Sequence, residues 1–126
     1  MIDHIPAIEI QVTPEFLGDQ SEPDKDQFVF SYHITIINHG NENAQLISRH
    51  WLINDANGKA QEVRGMGVVG QQPLLKPGKT YSYSSGAVIN TPVGTMQGSY
   101  QMLTDDGREF DVPIPVFTLA KPGLIH

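Results

Sequence analysis

No cysteine occurs in this 126-residue chain, which removes disulfides, thiolate metal sites and cysteine nucleophiles together. Secreted β-sandwich domains usually carry a bridge, so the absence points to a reducing, cytoplasmic compartment. Basic residues are scarce: eight Lys and Arg stand against fourteen Asp and Glu, a formal net charge of −6. A protein that neutralises phosphates shows the reverse balance, so nucleic acid and anionic membrane are poor partners. No stretch approaches the roughly 18 apolar residues that span a bilayer. Met1-Ile2-Asp3-His4-Ile5-Pro6 lacks the basic-then-apolar order of a signal peptide. Helical periodicity, low-complexity tracts and internal repeats are missing as well.

What remains is alternation with a period of two. In 27–38, Phe28, Phe30, Tyr32, Ile34 and Ile36 share one face, opposite Gln27, Ser31, His33 and Thr35. Residues 8–13 alternate likewise and stop before Pro14, and 18–26 reads as a polar, acidic loop. A strand over 45–55 ends in Asp55-Ala56-Asn57-Gly58, a hairpin signal, with 61–64 as the return. Lys76-Pro77-Gly78 makes a turn within 74–78. A β-rich segment follows over 80–89, broken by Ser84-Ser85-Gly86. Residues 95–104 run into the turn Asp105-Asp106-Gly107. The last strand, 109–117, places Phe110, Val112, Ile114 and Val116 on one face and Pro113 and Pro115 on the other. Both missing N–H groups lie on one side, so this is an edge strand or one whose pairing ends there.

Seven to eight short strands with regular turn signals predict an all-β chain, an antiparallel β-sandwich of immunoglobulin-like type forming one domain over 1–126. Trp51, with Ile47 and Ile53 on its own face, stands where such domains place a core tryptophan. Gly98-Ser99-Tyr100-Gln101-Met102 has the shape of a tyrosine corner, its hydroxyl satisfied by backbone.

Motifs that could carry chemistry are few. Gly65-Met66-Gly67-Val68-Val69-Gly70 is a literal G-x-G-x-x-G. Gln71-Gln72-Pro73 follows, so no helix begins there, and Asn90 stands where an acidic ribose ligand belongs. A dinucleotide fold is rejected. The glycines are read first as bulges and bends, and second as a loop whose N–H groups hold an anion beside Arg64. Arg49 shares a face with Trp51, which requires a bulge or strand end to let its guanidinium out. Arg49, Arg64, Gly65, Gly67 and Gly70 are therefore the candidate anion or ligand site.

The five histidines, His4, His33, His39, His50 and His126, show no local metal spacing, although pairing of their two strands would bring His33 and His50 together. Asp55-Ala56-Asn57-Gly58 is too short for a calcium loop. The acidic residues Asp19, Glu22, Asp24 and Asp26 read as a solvated loop. No nucleophile elbow or catalytic base is evident around Ser82, Ser84 and Ser85. The expectation is a non-enzyme with no cofactor and no metal site.

A set of short motifs then carries a resemblance along nearly the whole chain. They are Tyr32-x-Ile34-Thr35-Ile36, Gln45-Leu46-Ile47-Ser48-Arg49-His50-Trp51, Asp55-Ala56-Asn57-Gly58, Glu62-Val63-Arg64 running into the glycine motif, Gln72-Pro73, Lys76-Pro77-Gly78, Tyr83-x-Ser85-Gly86, Thr91-Pro92-x-Gly94-x-Met96-x-Gly98-x-Tyr100-x-Met102 and Ile114-Pro115-x-Phe117. Together they resemble the ApaG family, also called CorD. The resemblance implies a fibronectin type III-like sandwich, a bacterial, cytoplasmic protein, and an association with cobalt resistance and magnesium efflux. It implies no catalytic residues. In larger eukaryotic proteins the domain looks like an interaction module.

Three expectations follow. The first is a module, monomer or homodimer, that binds an unknown protein partner and affects divalent cations indirectly. The second is a weak binder of phosphate or pyrophosphate at the glycine loop. The third, direct cobalt or magnesium binding by histidine or the acidic loop, is the weakest.

Overall fold

The alternating segments become eight strands: β1 (Ile8–Phe16), β2 (Phe28–Asn38), β3 (Ala44–Asp55), β4 (Ala60–Met66), β5 (Leu74–Leu75), β6 (Thr80–Ile89), β7 (Val93–Thr104) and β8 (Glu109–Ala120). They are seen in a computed structural model that describes residues 6–123. The reading of the first residues, His4 and His126 lie outside that range. A three-stranded antiparallel sheet, β1-β2-β6, faces a five-stranded one, β4-β3-β7-β8, with β5 paired to the start of β3. This is the fibronectin type III arrangement of an immunoglobulin-like sandwich. No helix among the described residues is long and apolar enough to cross a membrane.

The core is what the alternation predicts. Phe28, Phe30, Tyr32, Ile34 and Ile36 from β2 pack against Leu46, Trp51, Met96, Tyr100, Met102 and Ile114 of the opposite sheet. Several expectations are corrected. β1 runs through Pro14 to Phe16, because β1 is an edge strand and can lose an N–H there. β6 is not broken at Ser84-Ser85-Gly86; its register with β2 is continuous from Ile89 to Thr80. β8 is the edge strand its prolines announce, but its pairing continues past both of them to Ala120, and a register shift after Ile114 turns Val116 outward. Ile47 does not share the face of Trp51, because a register shift between Leu46 and Ser48 exchanges the two faces and buries Leu46 instead.

The Tyr100 hydroxyl is satisfied by the Tyr83 hydroxyl across the sandwich rather than by backbone. Burial pushes the ionisation of Tyr83, Tyr100 and Tyr32 up from the ordinary tyrosine range. A group whose pKa is raised by folding stabilises the fold fully below its unfolded value, about 10, and loses that contribution as pH climbs beyond it. The tyrosinate absorbance of these three residues is therefore expected to rise together with loss of the far-ultraviolet β signal during alkaline titration. Full ionisation with the β signal intact would contradict the burial argument.

Sequence alone did not single out Asn38. It is fully buried, donates from Nδ2 to the carbonyls of Glu42 and Leu75, and accepts from Gly40 N–H. It thereby ties the end of one sheet to the start of the other. Among the described residues, no buried side-chain polar atom lacks a partner.

Candidate functional site

The glycine motif closes the outer end of β4. Ser48 pairs with Met66 and Arg49 with Gly65, after which Gly67 N–H donates to Ile47 C=O at 2.7 Å. Gly67 has φ of +64°, and a Cβ there would lie 2.2 Å from the Gln71 carbonyl oxygen. That bend sends Val68 into the core at 1% exposure. Val68 and Gln71 then exchange two backbone hydrogen bonds, 2.8 and 2.9 Å, around Val69 (φ +48°) and Gly70 (φ +75°). Two successive positive φ values between paired residues make a type I′ hairpin turn. Gly70 suits it. Val69 does not, since a β-branched residue in the left-handed region is sterically opposed.

Arg49 emerges beside this hairpin. The bulge puts it on the inward face next to Trp51, as its spacing required, and Nη1 turns out to donate to the carbonyls of Met66 (3.1 Å) and Gly67 (2.8 Å). The guanidinium lies directly over Gly65, where a Cβ would come within 2.7 Å of it. Glycine at 65 is thus the space that Arg49 crosses. Arg64, mostly exposed, stands 3.7 Å from the Glu62 carboxylate.

An open cleft of about 490 Å³ is lined by Ser48, Arg49, Arg64, Gly65, Met66, Gln101 and Asp111. It unites three of the candidate residues and leaves Gly67 and Gly70 out of its wall. The Gly67 and Val68 amides bond within the protein, so an anion here would meet two guanidinium groups rather than those amides. Asp111 sets one carboxylate against them. Sequence reasoning missed Asp111, Gln101 and Ser48, which arrive from three strands; Ser48 Oγ donates to Gln101 Oε1 at 2.9 Å. A smaller hollow of about 310 Å³ continues over Ile47, Leu103, Glu109 and Phe110.

The histidines do not converge. His33 and His50 lie in different sheets, bonded to Ser84 (2.8 Å) and Glu62 (2.9 Å), and His39 meets Glu9 at 2.6 Å. Hydrogen bonds from Gln11 and then His39 hold the Glu9 carboxyl below the usual range, and that from His50, followed by Arg64, does the same for Glu62. Among the described residues, no group of three His, Asp or Glu could hold a metal ion.

The profile of one protein family, described as the ApaG domain, matches residues 18–104. Protein ApaG of Thiobacillus denitrificans is 60% identical over 119 residues, covering 94% of each chain. Protein ApaG of Chromobacterium violaceum is 52% identical over 126 residues, the whole of both chains. A crystal structure of a Bordetella pertussis protein described as ApaA superposes with a TM-score of 0.91 at 49% identity, covering 94% of this chain and 96% of that one.

Proposed function

The chain belongs to the ApaG family, and on that premise we propose that it is a non-enzymatic binding module for a protein partner, engaged through the 65–70 hairpin. One observation carries the reading: the hairpin holds Val69 in a conformation that a valine resists, with the residue 63% exposed. Asparagine or glycine would fill that turn position at lower cost. Strain of this kind clusters at functional sites. Met66 and Leu74, exposed to 67% and 49%, extend the apolar surface on the same stretch of chain. The link to cobalt resistance and magnesium efflux would then be indirect, through a cytoplasmic partner.

Val69→Asn tests this in two directions. It should raise the unfolding free energy by about 1 kcal/mol, because it relieves left-handed strain. It should also reduce recovery of the partner that tagged wild-type protein retrieves reproducibly from its own cells. A variant that retains the partner undiminished removes the hairpin from the interface; a wild type with no reproducible partner removes the module reading itself.

A second reading, weak binding of phosphate or pyrophosphate, is favoured by the meeting of Arg49, Arg64 and Gly65 in one cleft. Titrating pyrophosphate should then shift the Gly65 and Met66 amides at millimolar ligand, and Arg64→Ala should abolish the shift. Unmoved amides at that concentration would dispose of it.

A further inference from the structure

Among the described residues the sandwich has four lateral edges, and they are not equally protected. Unpaired edges normally carry proline, charge or a bulge against unwanted pairing. β1 has Pro14, Glu9 and Glu15 and lies beside β8; β8 has Pro113, Pro115, Glu109 and Asp111; β4 has Glu62 and Arg64. β6 has none of these devices. Its ten residues, Thr80-Tyr81-Ser82-Tyr83-Ser84-Ser85-Gly86-Ala87-Val88-Ile89, contain no proline and no charged side chain, and they pair with β2 without a bulge.

The backbone groups on its open side can be assigned. Asn38 N–H donates to Lys79 C=O at 3.0 Å, so the odd-numbered residues face β2. The Val88 carbonyl points the other way and accepts from Gln61 Nε2 at 3.3 Å. Alternation in an antiparallel ladder therefore turns the N–H and C=O groups of Thr80, Ser82, Ser84 and Gly86 outward as well. Ser82 and Ser84 direct their hydroxyls back to Thr35 (3.0 Å) and His33 (2.8 Å), which keeps them from folding over that edge.

We infer that β6 is a docking edge for an extended segment of a partner protein, added as a fourth, antiparallel strand to the β1-β2-β6 sheet. The inference rests on the interaction-module reading and deepens it. Gln61 of β4, the strand that runs into the hairpin, reaches the Val88 carbonyl of β6, so β4 and this edge lie on the same side of the sandwich.

Charge defines the segment. The Thr80 end of β6 follows Lys76 and Lys79. The Ile89 end pairs with Phe28, just after a loop bearing Asp19, Glu22, Asp24 and Asp26 against the single Lys25. An antiparallel strand enters at the acidic end and leaves at the basic one. It is therefore neutral and β-branched in the middle, with Lys or Arg before it and carboxylates after it. A second copy, which would bring its own Lys76 and Lys79 to the acidic end, is opposed by the net charge of −6 that each chain carries.

The test uses the full chain and a synthetic peptide of alternating threonine and valine with two N-terminal lysines and two C-terminal glutamates. At millimolar peptide the Ser82, Ser84 and Gly86 amides should shift and gain protection from exchange. The same peptide with its charged ends exchanged should bind more weakly. Ser84→Pro removes an outward N–H and leaves the β2 ladder intact; Ser84→Lys keeps the N–H and adds a charge. Both should retain the native β signal and lose at least about tenfold in affinity.

Unmoved β6 amides, shifts confined to another edge, or indifference to both variants would overturn the inference. Concentration-dependent protection of these amides without peptide would overturn it in favour of self-pairing. Retrieval of a cellular partner undiminished by Ser84→Pro sinks only the edge and leaves the module reading standing.

Discussion

Trp51→Ala should lower the unfolding free energy by about 3–5 kcal/mol, the usual cost of deleting a buried large aromatic side chain. Trp51 is 2% exposed and stands between the sheets. Its ring meets Tyr32 of β2 edge-on at 5.3 Å, and Tyr100 and Phe117 of its own sheet edge-on at 6.4 and 5.9 Å. The cavity would open among three aromatic rings anchored on three strands, none of which can collapse into it without moving its backbone. A domain of this size has only about 5–15 kcal/mol of stability in total, so the variant should be marginal at room temperature. Urea unfolding followed by far-ultraviolet circular dichroism measures it, since the only tryptophan is lost. A loss below about 1.5 kcal/mol would mean that the ring does not bridge the sheets as described.

Gly98→Ala should cost about 3 kcal/mol or more, at or beyond the top of the usual range for overpacking. A Cβ at this position would sit 2.1 Å from the His50 carbonyl oxygen and 3.2 Å from Trp51 Cα. Both obstacles include backbone of β3, directly across the ladder where Gly98 pairs with Trp51. No side-chain rotation relieves the overlap, so β3 and β7 must part at the centre of the larger sheet. Gly58→Ala supplies the contrast. Gly58 has φ of +83° with nothing within 4 Å of its notional Cβ, so only conformational strain of about 1 kcal/mol is expected. Comparable losses in the two variants would show that close approach is not what glycine provides at 98.

Much of this fold was legible because alternation is a local property. Phe28, Phe30, Tyr32, Ile34 and Ile36 announce a half-buried strand without reference to anything else, and Pro113 with Pro115 mark β8 as an edge. Asp55-Ala56-Asn57-Gly58 likewise turns as expected, with Gly58 N–H donating to Asp55 C=O and Asp55 N–H to Lys59 C=O. The candidate site was only half legible. Arg49 was recognised as misplaced on its face, and Arg64 and Gly65 were recognised as its neighbours. Its carbonyl partners on Met66 and Gly67, at the end of β4 and the bend after it, and the carboxylate of Asp111 on β8 are brought to it by strand pairing and left no local mark.

The sequence by itself determined the strands, the faces they bury and most of the turns, because these follow from side-chain order along a few residues. The tertiary structure alone decided the bulge that buries Leu46 in place of Ile47, the hydroxyl pair of Tyr83 and Tyr100, and the exposure of a strained Val69. It also decided that, among the described residues, β6, unbroken and uncharged, pairs with no strand on its outer side, where Gln61 meets the Val88 carbonyl. Each of these depends on which strands lie side by side, and non-local pairing is set by the packing of the whole core rather than by any one segment.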